Sequence, residues 1–234
     1  MTINLSGELI PDDWADVYRW FGYNSGYYCP LDIRNAIKDL PAGEELVLEI
    51  NSVGGNVDAA SEIYALLQKC SNPTRAEIQS LAASAASYLC LACDRVEIAL
   101  TAQMMVHRAS AGMTGNCADM QWAADMLHVT DEAILGAYCA KCGEGKREQL
   151  RELMEKETFL NAADALELGL VDAIIGAADQ NEPQQIAASV HNNIVRAMRT
   201  LPSIDELRQR RDDEQRAELE KIKAAKMRYQ KMEV

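Results

Sequence analysis

Gly54 sits in the run Ile50-Asn51-Ser52-Val53-Gly54-Gly55-Asn56-Val57, and Ser84 sits in Leu81-Ala82-Ala83-Ser84-Ala85-Ala86-Ser87. His107 follows at the end of Met104-Met105-Val106-His107. A glycine turn offers backbone N–H groups, a serine among small residues offers a hydroxyl, and a histidine after an apolar run offers a base. Together these are parts of an acyl-transfer site, because a hydroxyl attacks a carbonyl well only with a base beside it and donors waiting for the oxyanion. Read alone, an Ala/Ser-rich run signals tight helix packing, and a lone histidine is more often structural. The three features in one chain order reverse that reading. Ser87, three residues on, points elsewhere along a helix and is the weaker nucleophile candidate. Of the three histidines, His128 falls inside a long helical stretch and His191 in the C-terminal tail, which leaves His107 facing a cleft.

The elements that must hold these residues read as alternating strands and helices. Residues 2–9 form a short strand ending at Ser6-Gly7; Pro11-Asp12-Asp13-Trp14 reads as a loop, and Leu31–Leu40 as a helix. Leu46, Leu48 and Ile50 alternate as in a strand, whereas Val57, Ala60, Ile63, Tyr64 and Leu67 recur at helical spacing. Arg75–Gln79 is a second strand, and a helix follows Ser84 as far as about Leu91. Val96–Leu100 and Met104–His107 are further short strands. Asn116 can cap a long helix to about Lys141, with helices over Arg147–Lys156 and Ala162–Leu168 and a last strand after Gly169. This order describes a mixed α/β domain with crossover helices, placed over residues 1–176. The run from 177 to about 185 is linker-like. Residues 203–234 carry nine Lys/Arg against eight Asp/Glu without a steady heptad, so 177–234 reads as a linker and a charged, helical or partly disordered tail.

Composition bounds the partners. A net charge of −13 opposes general affinity for nucleic acid or an anionic membrane. No apolar run approaches the roughly 20 residues that span a bilayer, and the first residues lack a basic, signal-like stretch, so the expected compartment is the cytoplasm. Seven cysteines suit a reducing compartment better than a disulfide framework. Cys90/Cys93 and Cys139/Cys142 have CxxC spacing, but Cys90–Cys93 lies in an apolar helical run, and small buried or half-buried thiols are the better reading than a zinc site.

Several motifs in order resemble the proteolytic subunit of the Clp protease. Ile50-Asn51-Ser52-x-Gly54-Gly55 is similar to that family's glycine motif, Ala82-Ala83-Ser84 to its nucleophile motif, and Met105-Val106-His107 to its histidine strand. Gly112-x-x-Gly115-Asn116-x-x-Asp119 resembles the loop entering its long handle helix. Phe159-Leu160-Asn161-Ala162 through Gly169-Leu170-Val171-Asp172 resembles its closing segment. The resemblance covers about residues 2–176. The small-residue run around Ser84 and the charged tail look most like the phage and prophage branch associated with head maturation.

The resemblance implies the ββα-superhelix fold shared with the crotonase superfamily, with a protruding handle helix over about 116–141. It implies Ser84 as nucleophile, His107 as general base, and Gly54 and Ala85 N–H as the oxyanion hole. Substrate would lie as an added strand between Gly55, Asn56 and Val57 on one side and Arg108, Ala109 and Ser110 on the other. The third triad position holds Glu157 where the family usually has aspartate; if Glu157 is instead a surface residue, Asp172 or a backbone carbonyl would orient the ring. Val53 and Ala109 replace prolines common in the family. The chemistry implied needs no metal or cofactor. The partners implied are protein or peptide substrates, other copies in a ring, and phage capsid proteins or an unfoldase ATPase. Two rivals stand beside this reading: a crotonase-like acyl-CoA enzyme, and an inactive phage assembly or scaffold protein of the same fold.

Overall fold

The alternating and helical patterns build a parallel sheet with helices between its strands. A computed structural model of the chain describes residues 1–176; the tail proposed for 177–234 lies outside the described residues. In chain order the elements are β1 (Thr2–Leu9), α1 (Asp12–Trp20), β2 (Tyr27–Tyr28), α2 (Pro30–Asp39), β3 (Leu46–Gly55), α3 (Val57–Gln68), β4 (Thr74–Ala83) and α4 (Ala85–Leu89). They continue with β5 (Arg95–Ala99), β6 (Gln103–Val106), α5 (Cys117–Cys142), α6 (Arg147–Glu155), β7 (Thr158–Asn161), α7 (Ala162–Leu168) and β8 (Ala173–Ile175). The strands run β2-β1-β3-β4-β5-β8, with β6 pairing both β4 and β7. Every pairing is parallel except β6 with β7. Parallel neighbours require crossover connections, which the intervening helices supply.

The core forms where the sheet meets these helices. Leu48, Ile50, Ile78 and Ile98 from the central strands pack with Ile63 of α3, Leu89 of α4 and Tyr138 of α5, all essentially inaccessible to water. Full burial of each aliphatic side chain contributes about 1.5–3 kcal/mol. Local signals set the helix ends. Asn56 Oδ1 accepts the Ala59 N–H at 2.8 Å to start α3, and α3 then buries Ala59, Ala60, Ile63 and Leu67 on one face. Asn116 and Asp119 form a reciprocal capping box at the start of α5, and Gly143, at φ 91°, ends it.

Three features differ from the sequence expectations. Pro11–Trp14 is not a loop; Pro11 precedes α1, and Asp12 and Asp13 occupy its first turn, where their charges suit the helix dipole. Strands β3 and β4 run on through the glycine turn and the small-residue run, to Gly55 and Ala83. Thr158–Asn161 forms β7, antiparallel to β6, with Val106 opposite Thr158. Cys90 and Cys93 are buried, and burial pushes both thiols up. Among the described residues no helix is long and apolar enough to cross a membrane.

Candidate active site

The site forms where β3, β4 and β6 end side by side. Ala83 closes β4 and Ala85 opens α4, so Ser84 alone makes the turn from strand to helix, at φ 55° and ψ −126°. A non-glycine residue held there costs about 1–3 kcal/mol, and such strain collects at functional sites. The turn is fixed on several sides. Ser84 N–H donates to Met105 C=O at 2.9 Å, which ties it to β6. Ser84 C=O accepts the Ser87 hydroxyl at 2.6 Å, and Ser87 Oγ lies 2.5 Å from the buried Tyr138 hydroxyl of α5. Ser87 is therefore fully buried and engaged, while Ser84 keeps partial exposure.

His107 follows the last residue of β6, and its Nε2 lies 2.6 Å from Ser84 Oγ. This distance is at the short end for a hydrogen bond, and it joins two residues 23 positions apart. Both side chains line a small cleft of about 50 Å3 with Gly55, Val57, Ala85, Tyr88, Ala109 and Ser110. An apolar groove of about 440 Å3 shares Val57, Tyr88 and Ile134 with that cleft and extends between α3 and α5.

The glycine pair divides its work differently from the sequence expectation. Gly54 is buried, and its N–H donates to Ser52 Oγ at 3.0 Å; Ser52 in turn donates to Gly7 C=O at 2.7 Å. That N–H is already engaged and does not face the cleft. Asn56 N–H donates to Leu9 C=O at 2.9 Å, toward β1, so alternation along the strand turns the Gly55 N–H to the opposite edge, where Ser84 lies. Gly55 is exposed and lines the cleft. The role of Gly54 is close approach: a Cβ there would meet Ala83 C=O at 2.5 Å and Ser84 Cβ at 2.7 Å. Ala85 N–H, at the start of α4, is one of the orphan donors every helix start presents.

Across the cleft, Ala109 N–H is also taken. It donates to Asp131 Oδ1 at 2.7 Å, and Arg108 Nε donates to Asp131 Oδ2 at 2.7 Å. Asp131 lies in the middle of α5 and is buried; nothing in its local sequence marked it. His128, one turn earlier, places Nδ1 3.2 Å from Arg108 Nη2 and takes no part in the cleft.

The candidate acids separate clearly. Asp172 accepts Val96 N–H at 2.7 Å and the Lys141 ammonium at 2.6 Å, so it is committed elsewhere and does not orient His107. Glu157 occupies the turn between α6 and β7 at φ 49°, where its N–H donates to Met154 C=O at 3.2 Å. Val106–Thr158 is the last pair of the β6–β7 ladder, and His107 and Glu157 each lie one residue beyond it. Its side chain is exposed and makes no hydrogen bond to the ring among the described residues.

Comparison with known proteins follows the same lines. The family model described as Clp protease matches residues 37–178. The ATP-dependent Clp protease proteolytic subunit 1 of Chlamydia muridarum is 31% identical over 137 residues, covering 57% of this chain and 71% of its own. The subunit of the same name from Chlamydia abortus is 30% identical over 137 residues, with the same coverage of each chain. The ATP-dependent Clp protease proteolytic subunit of Deinococcus radiodurans is 29% identical over 140 residues, covering 59% of this chain and 68% of its own. The segment carrying α1 and β2 precedes the matched region.

Proposed function

The chain belongs to the Clp protease family, and from that premise we propose that it is a serine endopeptidase that cleaves peptide bonds through an acyl-enzyme on Ser84. The single observation that carries this reading is the 2.6 Å contact between His107 Nε2 and Ser84 Oγ at a strained strand-to-helix turn. His107 Nε2 takes the hydroxyl proton as Oγ attacks the substrate carbonyl. The tetrahedral oxyanion is held by Gly55 N–H and Ala85 N–H, a pair favoured over Gly54 because the Gly54 N–H is spent on Ser52. His107 then gives its proton to the leaving amine, and water attacks the acyl-enzyme by the same route.

For Nε2 to accept, the ring proton must sit on Nδ1, and a carboxylate beside Nδ1 fixes that tautomer. Glu157 is the acid we assign to this role, because it lies one residue beyond the Val106–Thr158 pair, as His107 does. The substrate runs as an extended strand between Gly55–Val57 and Arg108–Ser110. Backbone pairing on the second side falls to groups other than the Ala109 N–H, which Asp131 holds. The groove between α3 and α5 suits an apolar substrate side chain. We extend the family's assembly to this chain as a ring of identical subunits, with protein or peptide substrates fed to it. The small-residue run Leu81–Ser87 supports a phage head-maturation role, in which capsid proteins are the substrates.

Incubation of the purified protein with casein and with capsid protein, followed by mass spectrometry, tests the reading. Peptides released by the wild type and lost in Ser84→Ala support it. Intact substrates after incubation with folded, assembled protein would favour a non-catalytic assembly role.

A further inference from the structure

The segment carrying the proposed base has little support from the sheet. β6 ends at Val106, and its pairing with β7 ends at the Val106–Thr158 register. Beyond that point, besides the His107–Ser84 and Arg108–His128 side-chain contacts, the chain is held by one carboxylate of α5. Asp131 of α5 is 6% exposed; it accepts the Arg108 guanidinium on Oδ2 and the Ala109 N–H on Oδ1, each at 2.7 Å. Ionised acceptors at this distance make the strong class of hydrogen bond, and a carboxylate so buried is tolerable only when both oxygens are engaged. Two helical turns on, Tyr138 reaches the Ser87 hydroxyl that donates to Ser84 C=O. Positions 131 and 138 are seven apart and share a helix face. One face of α5 therefore grips the chain next to His107 and the chain next to Ser84.

We propose that Asp131 is a positioning residue for the hydrolysis: by bridging the Arg108 side chain and the Ala109 backbone, it fixes the segment on which His107 rides, and with it the contact to Ser84. The inference rests on the reading of Ser84 and His107 as nucleophile and base. Asp131 touches neither side chain, so it acts through the backbone. The two residues it holds directly follow His107, and a base displaced by about 1 Å from its nucleophile loses on the order of 10²-fold in rate. Gly55–Val57, which Asp131 does not touch, holds the other side of the substrate, so the loss falls mainly on the acylation step.

The test uses the full chain with three variants: Asp131→Ala, Asp131→Asn, and Asp131→Asn combined with Arg108→Gln. Three quantities are read: the rate of Ser84 labelling by a fluorophosphonate, kcat and KM on a short peptide ester, and hydrogen exchange at the Ala109 amide. Asp131→Ala should slow labelling by about 10–100-fold, lower kcat with KM little changed, and speed Ala109 exchange. Asp131→Asn keeps an acceptor for Ala109 but turns an amide N–H₂ toward Arg108, so its loss is intermediate. Adding Arg108→Gln supplies a matching amide and should recover much of that loss, as coupled partners do. A merely structural role would lower the melting temperature without the kcat-specific loss or the rescue. Should Asp131→Ala fail to fold, the other two variants carry the comparison. Wild-type labelling rates in folded Asp131→Ala, or a double variant no faster than Asp131→Asn, overturn the proposal. Unchanged Ala109 exchange overturns the clamp alone, whereas a wild type that never labels at Ser84 overturns the hydrolase reading beneath it.

Discussion

Replacing Gly54 with alanine should damage both stability and chemistry, and the structure separates the two costs. The residue sits at φ 86°, and an added Cβ would meet Ala83 C=O at 2.5 Å, Ser84 Cβ at 2.7 Å and Ala85 N at 2.8 Å. Two penalties follow: about 1–3 kcal/mol for a side chain in that backbone region and about 1–3 kcal/mol for overpacking against atoms that cannot move aside. Against a total stability of about 5–15 kcal/mol, their sum is large. At roughly 2–4 °C per kcal/mol for a domain of this size, the melting temperature should fall by about 10 °C. Gly143 is the control: it has φ 91° with nothing within 4 Å of an added Cβ, so Gly143→Ala should carry only the conformational penalty. Thermal melts of both variants, with fluorophosphonate labelling rates, measure the difference. The collision also pushes on Ser84 itself, so labelling should slow in Gly54→Ala and stay at the wild-type rate in Gly143→Ala. Equal melting temperatures for the two variants, or unimpaired labelling in Gly54→Ala, would refute the close-packed turn described here.

His107→Ala should lower turnover by about 10⁴-fold or more, and the double variant with Ser84→Ala should be little worse, because groups that act as a unit lose activity together; steady-state peptidase rates check this. Glu157 offers a sign test, since its φ of 49° favours glycine while its proposed role needs a carboxylate. Glu157→Gly should hold or raise the melting temperature by relieving left-handed strain, yet cut turnover by about 10–100-fold. Glu157→Asp should retain activity, and a Glu157→Gly enzyme with full activity would remove the residue from the triad.

Much of the fold was legible because its elements carry strong periodicity. The alternation of Leu46, Leu48 and Ile50 marks β3 and the spacing of Val57, Ala60 and Ile63 marks α3; the cap Asn116 sets a helix start that the structure reproduces. The missed elements lack such signals. α1 begins behind a proline and leaves Trp14, Val17 and Trp20 exposed, so its sequence reads as a turn. β2 has two residues, and β7 exists only through its pairing with the distant β6. At the site, Ser84 and His107 stood out by residue type and order. The choice between Gly54 and Gly55 did not, because it turns on which way each N–H points, and that is set by Ser52 Oγ and by the Asn56–Leu9 bond. Asp131 was invisible for a similar reason: it is one acid among several on a long helix, and its partners lie 22 and 23 residues away.

In the proposed hydrolysis the Ser84 hydroxyl, 2.6 Å from His107 Nε2, is an activated nucleophile. Peptide-level mass spectrometry after treatment with a fluorophosphonate tests it most directly. One adduct per chain is expected, on Ser84, absent from Ser84→Ala and formed far more slowly in His107→Ala, with Ser87 unmodified. An adduct on Ser87, or a folded wild-type protein that takes up no label, would contradict it.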